Sequence, residues 1–403
     1  MSFDFTTVID RHGMDSLAVD GIHKALGVPE GLPRPGFDVI PMWVADMSFA
    51  TCPSVINAMQ RRLEHPIFGY YDLKPEYFDS IIHWQKSRNG VEGLLPEHIG
   101  YENSVLGGVV SALKAIASLG DAILIHAPTY VGFTNALRTN GYRIVLSPLV
   151  QDTSGTWRMD LVDMEEKIVK YNIHATIFCS PHNPTGRVWE RAELEAMMEL
   201  FRKHDVTVIS DEIWSDLLLF GSRHIPLQSV SEDAKNRTIA LYAPSKTFNL
   251  AGLIGSYHII YNQALRHRVT REGTLTFYNH QNVLSMYALL GAYQPEGALW
   301  TDALCQVLSN NADFAYAYIT THFDGIKLTR PQGTYVLFLD CSEWCASHGK
   351  TLSDLLQAGW EVGVLWQGGR PFHGSCHIRM NLALPTHRVK EAFERLNRYV
   401  FHP

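Results

Sequence analysis

Between positions 122 and 262 the chain repeats one pattern: a short, nearly continuous apolar run, a polar or Gly/Pro turn, then a stretch with helical spacing. The runs are AILIHAP (122–128), IVLSPL (144–149), ATIFCSP (175–181), TVISDEI (207–213), TIALYAP (238–244) and SYHIIYN (256–262). Each has the length of a strand, and unbroken hydrophobicity marks strands buried on both faces. ERAELEAMMELFRKHD (190–205), by contrast, places apolar residues three and four apart and ends on basic residues, as an amphipathic helix does. Strands alternating with helices predict an α/β domain with a mainly parallel sheet. Such sheets bind ligands beyond the carboxyl ends of their strands, so chemistry is expected just after the runs.

The C-terminal part changes character. YVLFLD (335–340) and HIRMNLA (377–383) read as strands, TLSDLLQAG (351–359) as a helix ending at Gly359, and HRVKEAFERLNRYV (387–400) as a closing amphipathic helix. Three regions are expected: residues 1–50 packing on the smaller unit, a large domain over 51–290, and a small α+β domain over 291–403. With 403 residues, 46% of them hydrophobic, the chain can bury two cores. A net charge of −7 without clustered Lys and Arg argues against a nucleic-acid partner. No apolar run nears the about 18 residues of a membrane span. The start, MSFDFTTVIDRHG, lacks the apolar stretch behind a basic cap that marks a secretory signal. The six cysteines are scattered, as expected for reduced thiols in the cytoplasm. Cys341 and Cys345 form a CxxxC and Cys376 precedes His377, but half of a zinc site is missing, so no structural metal is expected.

Polar residues gather where the parallel sheet would place a ligand. His182-Asn183-Pro184-Thr185-Gly186 follows one run, Asp211 and Glu212 close another, and Ser245 and Lys246 follow a third. SVLGGVVSAL puts Gly107 and Gly108 at the mouth of a helix expected to start near residue 109. Singly, each has a plain explanation: HNPTG as a turn, Asp211 as a helix cap, the glycine pair as a loop end, Lys246 as a solvated amine. Together they match the needs of an aldehyde cofactor bearing a pyridine ring and a phosphate. Such a group requires a lysine for the Schiff base and a carboxylate for the ring nitrogen. It also requires a donor to the ring hydroxylate and a helix N-terminus for the phosphate. Lys246, Asp211, Asn183 and the Gly108-Val109-Val110 turn can fill these roles.

With these residues stand IPMWVADMSF (40–49), FGYYDLKPEYF (68–78), HAPTYVGF (126–133), SPHNPTGRVW (180–189), SDEIWSDLLL (210–219), APSKTFNLAGL (243–253), PQGTYVLFLD (331–340) and IRMNLALP (378–385). In this order they resemble the fold-type I pyridoxal-5′-phosphate enzymes. Within these the chain is similar to the cystathionine β-lyase/cystalysin-like C–S lyases, relatives of the class I/II aminotransferases. The resemblance covers almost the whole chain and implies the aspartate aminotransferase fold. It implies that Lys246 forms the Schiff base and later shuttles the substrate Cα proton. Asp211 would pair with the pyridine nitrogen, Asn183 donate to the ring oxygen, and Tyr130 stack on the ring beside Trp214. Gly108 and the amides of Val109 and Val110, with Ser245, would hold the phosphate. Arg379 would grip the substrate α-carboxylate, and Ala45 line the substrate side by its backbone. Tyr70 would reach the phosphate and substrate region of a neighbouring subunit, making the active sites shared in a homodimer. The implied reaction is α,β-elimination from a small amino acid, giving a thiol, pyruvate and ammonia.

Some positions depart from the family pattern. Trp214 stands where the lyases usually carry histidine and the aminotransferases tyrosine, and Tyr242 where a small hydroxyl residue is more usual. Ile254 occupies a place where many aminotransferases have a phosphate-binding arginine, which favours the lyase group. Arg370, in a glycine-rich loop, reads as a loop arginine or a contact to a distal substrate carboxylate. An aminotransferase sharing the same lysine and carboxylate is the nearest alternative, and a regulatory protein retaining the fold a more distant one.

Overall fold

The computed structural model describes residues 3–276 and 279–402. Its large sheet comprises β1 (Ile99–Glu102), β2 (Ala122–Ala127), β3 (Arg143–Pro148), β4 (Ala175–Cys179), β5 (Thr207–Asp211), β6 (Thr238–Tyr242) and β7 (Ser256–Ile259). Their order is β1-β7-β6-β5-β4-β2-β3. β7 runs antiparallel to both β1 and β6, while the remaining pairs are parallel. Among the helices that follow strands of this sheet are α1 (Val105–Ile116), α2 (Val131–Thr139) and α3 (Arg191–Lys203). Unbroken apolar strands are needed because helices cover both faces. Ile123 and Ile125 of β2 pack with Val109 and Phe133 from α1 and α2, whereas Leu124 packs with Met197 and Phe201 of α3.

The chain then enters α4 (Val283–Ala292) and the long α5 (Pro295–His322). The domain division expected at 290 therefore falls inside α4, an unbroken helix. Beyond α5 come β8 (Val336–Asp340), α6 (Leu352–Glu361), β9 (Gln367–Gly368), β10 (His377–Asn381) and α7 (Thr386–Leu396). β8, β10 and β9 form an antiparallel sheet in that order. Ile40 and Pro41 pair in parallel with Val364 and Leu365, which ties the N-terminal segment to this unit. No helix among the described residues is long and apolar enough to cross a membrane.

The helix expected to stop at Gly359 runs on to Glu361, capped at its start by Thr351 Oγ1 accepting the Asp354 N–H. Gly359 is not a helix end but a point of close packing. A Cβ there would lie 2.4 Å from the Trp366 indole, itself fully buried with its N–H on the Leu356 carbonyl. Gly359→Ala should cost about 1–3 kcal/mol through overpacking, read as a lower Tm; an unchanged Tm would contradict this contact.

Candidate active site

Beyond the carboxyl ends of the parallel strands lies a cavity of about 320 Å³. Ser104, Tyr130, Asn183, Asp211, Ser245 and Lys246 line it from the large sheet, and Trp43, Ala45, Gln367, Phe372 and Arg379 from the other side. The strand-end rule accounts for the first set, since each residue ends a strand or begins the segment after one.

Asp211 is the last residue of β5 and is 4% exposed. Its Oδ1 accepts the Ile213 N–H at 3.1 Å. Burial nevertheless pushes its carboxyl up to about 7, against the Ile213 bond and the Lys246 charge. A carboxylate this poorly solvated gains a great deal from a cation brought beside it. Lys246 lies in the turn after β6. Its Nζ donates to the Ala45 carbonyl at 2.7 Å and sits 5.6 Å from the centre of the Trp214 ring. Burial lowers its pKa to about 8; the Arg379 guanidinium adds to the effect, while Asp46 and Asp211 oppose it. Roughly a tenth of such an amine is neutral at pH 7, far more than of an ordinary lysine, and the neutral form is the one that can attack a carbonyl or take a proton.

The loop carrying Ala45 is pinned from two sides. Arg11 Nη2 meets Asp46 Oδ2 at 2.6 Å, and Asn381 Nδ2 donates to the Val44 and Asp46 carbonyls at 2.9 and 2.5 Å. The Ala45 carbonyl also accepts the Tyr335 hydroxyl at 3.0 Å. Tyr335 in turn meets Trp214 edge-on, centroids 4.8 Å apart, so Trp214 is held rigidly as a wall of the cavity. Tyr130 occupies the cap position before α2 and packs edge-on against Phe133 at 5.4 Å. Arg379 is 4% exposed, lies 4.3 Å over the Phe372 ring, and reaches Asn183 Oδ1 at 3.4 Å. Burial lowers its pKa to about 10, which leaves it charged at neutral pH.

The expected phosphate turn is displaced. α1 begins at Val105, where Ser104 Oγ caps it by accepting the Gly107 N–H at 3.1 Å. Gly108 already donates to the Ser104 carbonyl at 3.0 Å, so Gly108, Val109 and Val110 lie inside the helix and outside the cavity lining. Gly108 is needed instead for packing, because a Cβ would fall 2.7 Å from Leu241. The first-turn residues on the cavity are Val105 and Leu106, whose amides have no partner within the helix. A serine before an apolar helical run is an N-cap signal; the glycine pair concealed it.

Other expected residues lie elsewhere. Tyr70, expected at the site of a neighbouring subunit, is wholly exposed between helices Pro53–Leu63 and Pro75–Asn89. Arg370 is exposed and outside the lining. Tyr242 holds Glu212 rather than a ligand: its hydroxyl meets Glu212 Oε2 at 2.6 Å, as does His224 Nε2, while Ser210 Oγ reaches Oε1 at 2.8 Å. Ile254 borders the cavity with φ +51°, an uncommon backbone for a β-branched residue. Tyr335, Phe372 and Gln367 had no distinguishing signal, since each is an ordinary residue in an apolar or glycine-rich stretch. Among the described residues, no group of three or more His, Cys, Asp or Glu side chains could hold a metal ion.

The cavity thus offers a partly neutral amine, a buried carboxylate, a guanidinium and a helix N-terminus. This donor set fits a phosphorylated pyridine aldehyde joined to an amino acid. The comparisons agree with it. The model of the aminotransferase class I and II family matches residues 38–396. Cystathionine β-lyase PatB of Bacillus subtilis is 33% identical over 390 residues, covering 96% of this chain and 97% of that protein. The structure of cystalysin from Treponema denticola, which contains a pyridoxal 5′-phosphate cofactor, superposes with a TM-score of 0.90 at 29% identity over 99% of both chains. The pyridoxal-phosphate-bound C–S lyase of Staphylococcus hominis gives a TM-score of 0.89 at 29% identity, over 99% of this chain and 98% of that one. The chain belongs to the class I and II aminotransferase family.

Proposed function

We propose that this protein is a pyridoxal-phosphate-dependent carbon–sulfur β-lyase. It would cleave the Cβ–S bond of a cysteine conjugate, such as cystathionine or cystine, and release a thiol, pyruvate and ammonia. The observation that carries the reading is the partly buried Lys246 amine, held on the Ala45 carbonyl in one cavity with Asp211 and Arg379. The relatives named as cystathionine β-lyases and C–S lyases supply the reaction type.

When bound, the cofactor supplies an electron sink for negative charge at the substrate Cα. Lys246 would hold the aldehyde carbon and, when its amine is free, would accept the substrate Cα proton at Nζ as general base. The Ala45 carbonyl, which holds Nζ at 2.7 Å, sets the direction from which the amine works. Asp211 would keep the ring nitrogen protonated by offering it a buried anion. Arg379 binds the α-carboxylate, and with Asn183 at 3.4 Å it ties substrate placement to ring placement. Val105, Leu106 and Ser245 would hold the phosphate, and Tyr130 and Trp214, which line the same cavity, would flank the ring. Tyr70, exposed beside Ile67 and Phe68, would meet a second copy of the chain in a homodimer. The six free cysteines suit a reducing cytoplasm.

Two outcomes follow. Purified protein given L-cystathionine or L-cystine should release pyruvate with no oxo-acid acceptor present; turnover that strictly needs 2-oxoglutarate and yields glutamate would overturn the lyase reading. The rate at which cofactor-free protein captures the cofactor aldehyde should also follow the neutral Lys246 amine. With its pKa lowered from 10.5 to about 8, the rate rises with pH up to roughly 8.5 and then levels off. A rate still climbing about tenfold per pH unit above pH 9 would contradict the lowered pKa.

A further inference from the structure

Arg379 is committed on one side and open on another. A guanidinium has five N–H donors and no acceptor. Nη2 donates to the Trp43 carbonyl at 2.9 Å and to Gln367 Oε1 at 3.0 Å. Nε is fully buried and meets no acceptor. A buried, unpaired donor on a charged group is costly, and a carboxylate arriving at the Nε edge would satisfy it.

Gln367 stands directly across from Arg379 in the register of β9 and β10, and it lines the cavity. Because the guanidinium can only donate, the amide oxygen of Gln367 must be the atom that faces it. The Gln367 Nε2 donors are thereby turned away from Arg379, and among the described residues no acceptor takes them. An amide locked by its oxygen and free at its nitrogen is a prepared donor beside the position where Arg379 receives a carboxylate.

We propose that Gln367 is a substrate-reading residue. It holds Arg379 through Oε1 and donates through Nε2 to the α-carboxylate that Arg379 binds, so the chain recognises its amino-acid substrate with an arginine–glutamine pair. This rests on the reading of Arg379 as the carboxylate grip and is independent of whether elimination or transamination follows. Gln367→Ala removes both bonds. Gln367→Glu keeps the shape, ties Arg379 into an ion pair, and sets a carboxylate against the incoming one.

The test titrates holoenzyme with L-alanine, which has no leaving group on Cβ, and with ethylamine, which is L-alanine without its carboxylate. Binding is followed by the change in visible absorbance as the amine displaces Lys246 from the cofactor. Gln367→Ala should weaken L-alanine about 10-fold and Gln367→Glu more, with ethylamine unchanged within about twofold. L-Alanine affinity within about twofold of wild type in both variants would overturn the proposal, and so would equal losses for L-alanine and ethylamine. Arg379→Ala serves as the reference. If it does not weaken L-alanine relative to ethylamine, the carboxylate grip itself is wrong and Gln367 falls with it. Elimination plays no part in these titrations, so a failed lyase assay leaves them intact.

Discussion

Lys246→Ala should remove the visible absorbance of the lysine-bound cofactor and lower kcat for elimination by about 10⁴-fold or more. Both effects follow from one atom. Nζ is the amine in the cavity, and its pKa is lowered to about 8 chiefly by burial. The alanine leaves the surrounding bonds largely in place, because Asp46 stays on Arg11 and the Ala45 carbonyl keeps its bond from Tyr335. The variant should therefore fold and still bind the cofactor noncovalently. A variant that turned over at more than about one-hundredth of the wild-type rate would remove Lys246 from the chemistry.

Asp211→Asn should reduce kcat by about 10³-fold with little loss of stability. Asparagine keeps the volume and can still accept the Ile213 N–H, which Oδ1 takes at 3.1 Å. What it loses is the negative charge that would keep a pyridine nitrogen protonated. It also loses the anion that supports the Lys246 ammonium, so the pH midpoint of cofactor capture should move down from about 8, as a kinetic titration would read. A kcat within about tenfold of wild type would show that this carboxylate does not act on the ring.

The parts of this site that were legible in the sequence share a physical reason. Asn183, Asp211 and Lys246 follow strands whose continuous hydrophobicity announces burial on both faces, and the parallel sheet then brings their ends together. The antiparallel sense of β7 was not legible, because periodicity reports burial and carries no direction. The start of α1 was misplaced because Gly107-Gly108 resembles a loop, whereas Gly108 sits in the first turn of the helix and packs closely on Leu241 of β6. Gly359 misled in the same way, its glycine answering to Trp366 rather than to a helix end. Tyr242 stood out as a departure from the family pattern, and its hydroxyl serves Glu212, a partner 30 residues away in sequence. Arg379 was implied by the family resemblance of the IRMN strand, but its partners Trp43 and Gln367 come from two other segments that only the fold assembles.

The central claim is that Lys246 is the covalent anchor of the cofactor. It is tested most directly by reducing the holoenzyme with borohydride and mapping the modified peptide by mass spectrometry. The expected result is a single stable adduct within APSKTFNLAGL, on Lys246. An adduct on any other lysine, or a reduced holoenzyme with unmodified Lys246, would contradict it.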